Sequence, residues 1–151
     1  MYDFAYHKPA SLADAVKLLA ADGDAKAMAG GQTLIPTLKQ RLAKPSAVVD
    51  LGAIKDLGGI SVAGGKVTIG ATTKHADVAG SADVKKAIPA LAALAGGIGD
   101  PAVRNRGTLG GSVANNDPAA DYPAGCLGLG ATIKTNKREI GADEFFKGMF
   151  E

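Results

Sequence analysis

The stretch RGTLGGSVANNDPAAD, residues 106–121, combines a glycine pair, small hydroxyl residues and a proline-led helix start. Closely spaced main-chain N–H groups in a glycine-rich turn form a concavity that attracts anions. A helix that starts beside such a turn adds the positive end of its dipole. We therefore predict a seat for a phosphate or pyrophosphate. Asp117 and Pro118 are predicted to be the N-cap and first residue of a helix over residues 118–129.

A second run of the same character, AGGQTLIP at residues 29–36, lies upstream. It follows a strand predicted over residues 25–29 and precedes an amphipathic helix predicted over residues 34–42, which Pro45 should end. Neither run has the G-x-G-x-x-G fingerprint of the Rossmann fold or the lysine of a P-loop. Each glycine pair alone could be a plain tight turn. Together, the two runs predict a pyrophosphate held from both sides.

Both runs resemble the signatures of the flavoprotein (medium) subunit of the molybdenum hydroxylases. This family includes aerobic carbon monoxide dehydrogenases and the FAD domain of xanthine dehydrogenase. Its first signature reads approximately A-G-G-Q-S-L-x-P, with Thr33 here in place of serine. The second reads approximately R-N-R-G-T-I-G-G-S-L-A-N-A-D-P-A-A-D. It matches residues 104–121 except at Leu109, Val113 and Asn116. The resemblance extends over nearly the whole chain.

The resemblance implies α/β plus α+β architecture, in the two-subdomain FAD-binding fold of the vanillyl-alcohol-oxidase-like (PCMH) type. The α/β subdomain is expected at residues 1–57 and the α+β subdomain at residues 58–151, with FAD between them. The family's third, C-terminal domain is expected to be missing. The chain would then be a fragment, an artificially truncated chain or an unusually short gene product. Such a fragment is expected to bind FAD weakly or be isolated empty, and to be inactive alone.

The predicted cofactor-binding residues come from the two anion seats and from the resemblance. Thr33, Thr108 and Ser112 offer hydroxyl groups, and the glycines allow close approach of a phosphate. In the family, an acidic residue at the position of Asp121 contacts the cofactor, although this carboxylate could instead simply favour a first helical turn. Catalytic residues and metal ligands are not predicted. The complete predicted set is Ala29, Gly30, Gly31, Gln32, Thr33, Leu34, Thr108, Leu109, Gly110, Gly111, Ser112 and Asp121.

The resemblance also implies a function and partners. A molybdopterin-binding large subunit would hydroxylate the substrate, and electrons would pass through the [2Fe-2S] clusters of a small subunit to FAD in this chain. The flavin would then reduce an acceptor such as NAD, a quinone or oxygen. The substrate and the physiological acceptor cannot be read from this sequence. The alternatives are a non-catalytic nucleotide-binding or assembly module of the same fold, and a pyridine-nucleotide dehydrogenase, which the missing Rossmann fingerprint disfavours.

Composition excludes several other classes of protein. A net charge of +2, 5% aromatic residues and no tryptophan argue against a nucleic-acid binder. The single cysteine, Cys126, cannot form a disulfide within the chain or hold an iron–sulfur cluster, and is expected to be a buried packing thiol. No secretory signal or membrane-spanning run is present, so a cytoplasmic location without membrane insertion is expected. Arg104 and Arg106 could face phosphate or a partner subunit.

Periodicity and turn residues predict the remaining elements. Ser11 should cap a helix on whose apolar face Leu12, Ala15, Val16 and Leu19 lie. His75 begins another predicted helix and has no partner constellation for catalysis, so a structural role is favoured. The other predicted elements are an extended segment at residues 4–6, a strand at 47–51 parallel to that at 25–29, hairpins over 60–69 and 131–140, and helices at 75–79 and 89–95.

Overall fold

A computed structural model describes residues 1–150. The first part contains a three-stranded sheet of β1 (Ala5–His7), β2 (Lys26–Met28) and β3 (Ala47–Asp50), in the order β1-β3-β2. Both outer strands run parallel to β3. The central strand is an apolar run because it is covered on both faces, as parallel strands usually are. The predicted parallel pairing is confirmed.

The first helix, α1 (Leu12–Ala21), covers this sheet. Its N-cap is Ser11, whose hydroxyl oxygen accepts a hydrogen bond from the Asp14 amide at 3.1 Å, as predicted. The buried Ala15 packs with Val49 and Ile54 in a small core. Two short 3₁₀ turns, Leu51–Ala53 and Lys55–Leu57, lead away from β3.

The second helix, α2 (Leu34–Lys39), is shorter than predicted. The amide of Leu42 donates to the Thr37 carbonyl at 3.0 Å, and the amide of Arg41 donates to the Leu38 carbonyl at 3.1 Å. This pair of hydrogen bonds is a Schellman motif, with Arg41 in the left-handed region at φ 58°. The helix therefore ends through its own C-terminal turn, and the prediction that it continues to residue 42 and stops at Pro45 was wrong.

Two hairpins flank a group of helices in the rest of the chain. β4 (Ile60–Ala63) pairs with β5 (Lys66–Ile69), and β6 (Thr132–Lys134) pairs with β7 (Glu139–Gly141), both antiparallel as predicted. Gly64 and Gly65 have φ values of 56° and 74°, which suit the two positive-φ positions of a type I′ turn.

The helices between and after the hairpins build the larger core. Three of these seven helices were predicted, near residues 75–79, 89–95 and 118–129, whereas the other four, all short, were not. In chain order they are α3 (His75–Gly80), α4 (Ala82–Ala87), α5 (Pro89–Gly97), α6 (Pro101–Arg104), α7 (Leu109–Asn115), α8 (Asp121–Gly128) and α9 (Ala142–Phe145). Their shared core consists of Val78, Val84, Leu91, Ala92, Ala95, Val113 and Tyr122.

The helix predicted from Pro118 begins later, at Asp121. The Asp117 carboxylate accepts a hydrogen bond from the Ala119 amide at 2.9 Å, and the Asp117 carbonyl accepts one from the Ala120 amide at 2.9 Å. These bonds close a turn over residues 117–120 instead of capping a helix, so the N-cap prediction for Asp117 was wrong. An Asx turn and an N-cap use the same residue types, which explains the error.

Candidate functional site

The fold brings the two glycine runs into direct contact. We call residues 29–34 the first turn and residues 106–112 the second turn. A Cβ atom added at Gly30 would lie 2.1 Å from the Arg106 carbonyl oxygen and 2.7 Å from the Gly107 Cα. Real side chains do not approach backbone so closely, so only glycine fits at position 30. The two runs therefore form one surface feature.

The first turn presents main-chain N–H groups without protein acceptors. Within residues 1–150, the amides of Gly31, Gln32, Thr33 and Leu34 make no hydrogen bond to a protein acceptor. Gly31 has φ 73°, a conformation that favours glycine and turns the chain between β2 and α2. Consecutive free amides of this kind are suited to bind an anion.

Thr33 stands at the N-cap position of α2, but its hydroxyl caps no amide. The capping role considered from the sequence is therefore absent. Its carbonyl oxygen accepts hydrogen bonds from the Thr37 amide at 3.3 Å and the Thr37 hydroxyl at 2.8 Å. Thr33 is exposed, so its hydroxyl can bond a ligand without breaking a protein contact.

The second turn differs, because most of its amides already have protein acceptors. The Leu109 amide donates to the Thr73 carbonyl at 3.0 Å, and the Gly110 amide donates to the Ala71 carbonyl at 2.9 Å. The Gly111 amide donates to the Thr108 hydroxyl oxygen at 3.2 Å, which makes Thr108 the N-cap of α7. The Ser112 amide donates to the Thr108 carbonyl at 3.1 Å. Among the amides of residues 106–112, that of Thr108 alone has no hydrogen bond within the described residues, and the other six are committed to internal bonds.

A different close contact explains each of the two glycines at the start of α7, Gly110 and Gly111. A Cβ at Gly110 would lie 2.5 Å from the Ala71 Cβ, so this glycine lets α7 pack against residue 71. A Cβ at Gly111 would lie 2.8 Å from the Thr108 hydroxyl oxygen and 4.0 Å from the Ala29 Cβ. Gly111 is exposed and faces the first turn, so the start of α7 forms part of the same surface.

Asp121 is the first residue of α8 and is exposed. Among the described residues its carboxylate has no hydrogen bond or ion pair. Its helix, α8, packs against α7, and the next residue, Tyr122, is fully buried with its ring against that of His75. The carboxylate is therefore available to a ligand that reaches from the turns to the start of α8.

His75 lies beneath the second turn, a role that the sequence did not reveal. Its amide donates to the Gly107 carbonyl at 3.0 Å. A Cβ at Gly107 would lie only 2.6 Å from the His75 Nε2. The imidazole is 5% exposed, and burial lowers its pKa, which favours the neutral form. No sequence pattern indicates this contact, because a buried histidine carries no spacing signal.

The cationic side chains near the turns have different roles. The Arg104 guanidinium donates through Nη1 to the Ile98 and Gly99 carbonyls, both at 3.0 Å, and so supports the loop before α6. The side chains of Lys74 and Arg106 are exposed and have no ion pair or hydrogen bond within the described part of the chain. Of the two arginines considered from the sequence, only Arg106 is thus available to an anion or a partner.

Comparison with known proteins identifies the family. Residues 2–151 match the family described as the FAD binding domain in molybdopterin dehydrogenase. The chain belongs to this family. The expected resemblance, and FAD as the cofactor of the fold, are confirmed.

The relatives of this FAD-binding domain are medium subunits of dehydrogenases and hydroxylases. It is 41% identical over 149 residues to the nicotine 6-hydroxylase medium subunit of Paenarthrobacter nicotinovorans, covering 96% of this chain and 53% of that protein. It is also 41% identical over 152 residues to the carbon monoxide dehydrogenase medium chain of Hydrogenophaga pseudoflava, covering 97% of this chain and 53% of that one. The chain spans about half the length of these relatives.

Solved structures confirm the mixed α/β fold of the domain. The carbon monoxide dehydrogenase of Hydrogenophaga pseudoflava matches with a TM-score of 0.95 at 41% identity, over 99% of this chain and 54% of that chain. The quinoline 2-oxidoreductase of Pseudomonas putida 86 matches with a TM-score of 0.95 at 39% identity, over 99% and 54% of the two chains. Within residues 1–150, no helix combines the length and apolar character needed to cross a membrane.

Proposed function

We propose that this FAD-binding domain holds the pyrophosphate of FAD at the joined first and second turns. The observation that carries the proposal is the contact between Gly30 and the Arg106–Gly107 peptide, which makes one seat from two distant runs. The free amides of residues 31–34 supply hydrogen-bond donors on one side of that seat. Backbone donors of this kind bind phosphate oxygens without a side-chain cation.

Four further groups complete the proposed binding site. The hydroxyls of Thr33 and Ser112 are free to donate to phosphate oxygens. The Asp121 carboxylate can accept hydrogen bonds from the hydroxyls of a ribose or ribityl chain. The exposed Arg106 side chain adds positive charge at the edge of the seat. The fold type proposed for this arrangement is the vanillyl-alcohol-oxidase-like (PCMH) type.

The proposed role in the holoenzyme is electron transfer. The chemistry that a bound flavin supplies is the exchange of electrons between two redox partners. These 151 residues contain one cysteine, whereas an iron–sulfur cluster needs about four ligands, so the electrons come from elsewhere. By analogy with its relatives, we assign that role to an iron–sulfur subunit, fed by a molybdopterin-binding subunit. The acceptor is NAD, a quinone or oxygen, and the chain alone has no substrate-driven turnover.

A glycine substitution tests the proposed seat. Gly30→Ala places a methyl group 2.1 Å from the Arg106 carbonyl oxygen, so the two turns must separate. We expect the affinity for FAD, measured by quenching of flavin fluorescence, to fall at least tenfold, or ~1.4 kcal/mol. Gly23→Ala is the matched control, because a Cβ there meets no atom within 4 Å.

Two results would contradict the proposal. One is a wild-type chain to which FAD does not bind even weakly on titration, which would favour a non-catalytic assembly module of the same fold. The other is a folded Gly30→Ala protein with the affinity of Gly23→Ala. Circular dichroism of each apoprotein establishes that it is folded. Gly111→Val, on the exposed face of α7 beside Ala29, provides a second test should Gly30→Ala not fold.

A further inference from the structure

Two buried aromatic rings lie directly behind the proposed cofactor seat. The rings of His75 and Tyr122 have centroids 5.3 Å apart and planes inclined by 40°. His75 is 5% exposed and Tyr122 is 0% exposed. Tyr122 belongs to the main core, whereas His75 contacts the second turn, so the pair connects the core with the seat.

Gly107 transmits the position of these rings to the first turn. The position that a Gly107 Cβ would take is 2.6 Å from the His75 Nε2 and 2.8 Å from its Cδ2. Gly107 also contacts the first turn, because its Cα lies 2.7 Å from the position that a Cβ on Gly30 would take. The contacts therefore run from Tyr122 through His75 and Gly107 to Gly30. A ring that moves toward Gly107 must displace it, because the space between them does not admit even a Cβ atom.

Each ring carries a buried polar atom that the packing of the core does not need. The His75 Nδ1 and the Tyr122 hydroxyl are buried without a hydrogen-bond partner in the described residues. Burial without a partner is unfavourable for a polar group. Apolar residues would fill a core at lower cost, and the contacts that lead to Gly107 are made by the rings and not by these two polar atoms.

Tyr122 also fixes the start of α8. It follows Asp121 directly, and its buried ring anchors the first turn of that helix in the core. The position of the Asp121 carboxylate relative to the second turn thus depends on the same ring pair.

We propose that His75 and Tyr122 are positioning residues that hold Gly107 against Gly30 and Asp121 beside the second turn, and so set the shape of the FAD pyrophosphate seat. This inference rests on the proposed function. The His75 amide keeps its bond to the Gly107 carbonyl with any residue except proline at position 75. Side-chain variants there therefore report on the ring itself.

The test compares ring removal with an equivalent loss of core packing. His75→Ala and Tyr122→Leu remove a ring, Tyr122→Phe removes only the hydroxyl, and Val84→Ala truncates the same core from α4, away from the turns. FAD affinity is measured by fluorescence titration of the purified chain, and ³¹P NMR of bound FAD reports on the pyrophosphate. Thermal unfolding of each apoprotein measures its stability.

We expect His75→Ala and Tyr122→Leu to weaken FAD binding at least tenfold and to shift the pyrophosphate ³¹P resonances. Tyr122→Phe should stay within twofold of the wild type, and Val84→Ala should keep the wild-type resonances despite its lower melting temperature. Wild-type resonances in a folded ring-removal variant would overturn the inference, as would equal losses in Val84→Ala. If His75→Ala does not fold, His75→Asn gives the same comparison. A wild-type chain that binds no FAD would overturn the proposed function and this inference with it.

Discussion

Asp121 begins α8 with an exposed carboxylate that has no protein partner within residues 1–150. Two roles remain compatible with that position. A carboxylate in a first helical turn interacts favourably with the helix dipole, and a free carboxylate beside a nucleotide seat can accept hydrogen bonds from ribose hydroxyls. The roles differ in what they stabilise, because the first acts on the apoprotein and the second acts only on the complex.

Asp121→Ala separates these roles. We expect FAD affinity to fall about 10-fold or more, since a charge-assisted hydrogen bond contributes roughly 1.5–3 kcal/mol. The melting temperature of the apoprotein should change little. Asp83→Ala is the control, because Asp83 is likewise an exposed acid in the first turn of a helix, α4. If Asp121→Ala loses stability but retains its FAD affinity, the helix-start role is the correct one.

At the scale of elements, the sequence predicted best where the signal is local. The Gly64–Gly65 pair specifies a hairpin turn, Ser11 caps a helix, and Val48 and Val49 mark a buried strand. The helix α7 was missed because its sequence contains two glycines, which have low helix propensity. It forms because Thr108 caps it and Val113 is buried, and because Gly110 packs closely against Ala71, a contact that no local pattern encodes.

In the candidate site, too, the sequence predicted the features with a local signal and missed those that depend on contacts between distant segments. Both glycine runs and Asp121 were identified from residue types and resemblance. The internal acceptors of the second turn, on Ala71 and Thr73, come from a distant segment and could not be inferred. The same holds for His75, whose contact with Gly107 exists only in the folded chain. Binding of FAD by the individual residues stays a prediction.

The end of α2 gives a prediction about an element. Arg41 occupies the left-handed C′ position of a Schellman motif, where glycine has no steric penalty. Arg41→Gly and Arg41→Ala both remove the guanidinium from above the Tyr2 ring, where it lies 5.6 Å from the centroid. The difference in stability between the two variants therefore measures the cost of the left-handed backbone conformation at position 41. We expect the glycine variant to be more stable by about 1 kcal/mol, measured by urea unfolding. Equal stabilities would contradict the left-handed conformation at Arg41.

At the scale of the whole molecule, the proposed seat joins two parts of the chain that are far apart in the sequence. The first turn leaves the parallel sheet at β2, and the second turn enters the helical part at α7. The division into subdomains at residues 57 and 58 stays a prediction. A ligand held by both turns binds only when the two parts are folded and correctly placed, so its binding energy stabilises both.

Thermal unfolding with and without ligands tests this coupling. FAD at 100 times its dissociation constant should add about 2.7 kcal/mol to the stability. For a chain of 151 residues this corresponds to a rise in melting temperature of about 5–11 °C. Hydrogen exchange should slow in both β3 and α7, because the ligand contacts both parts of the chain. Riboflavin, which has no phosphate, should produce neither effect at the same concentration. Stabilisation by riboflavin equal to that by FAD would show that the pyrophosphate is not the anchoring group, and protection confined to one part of the chain would show that the two turns do not share the ligand.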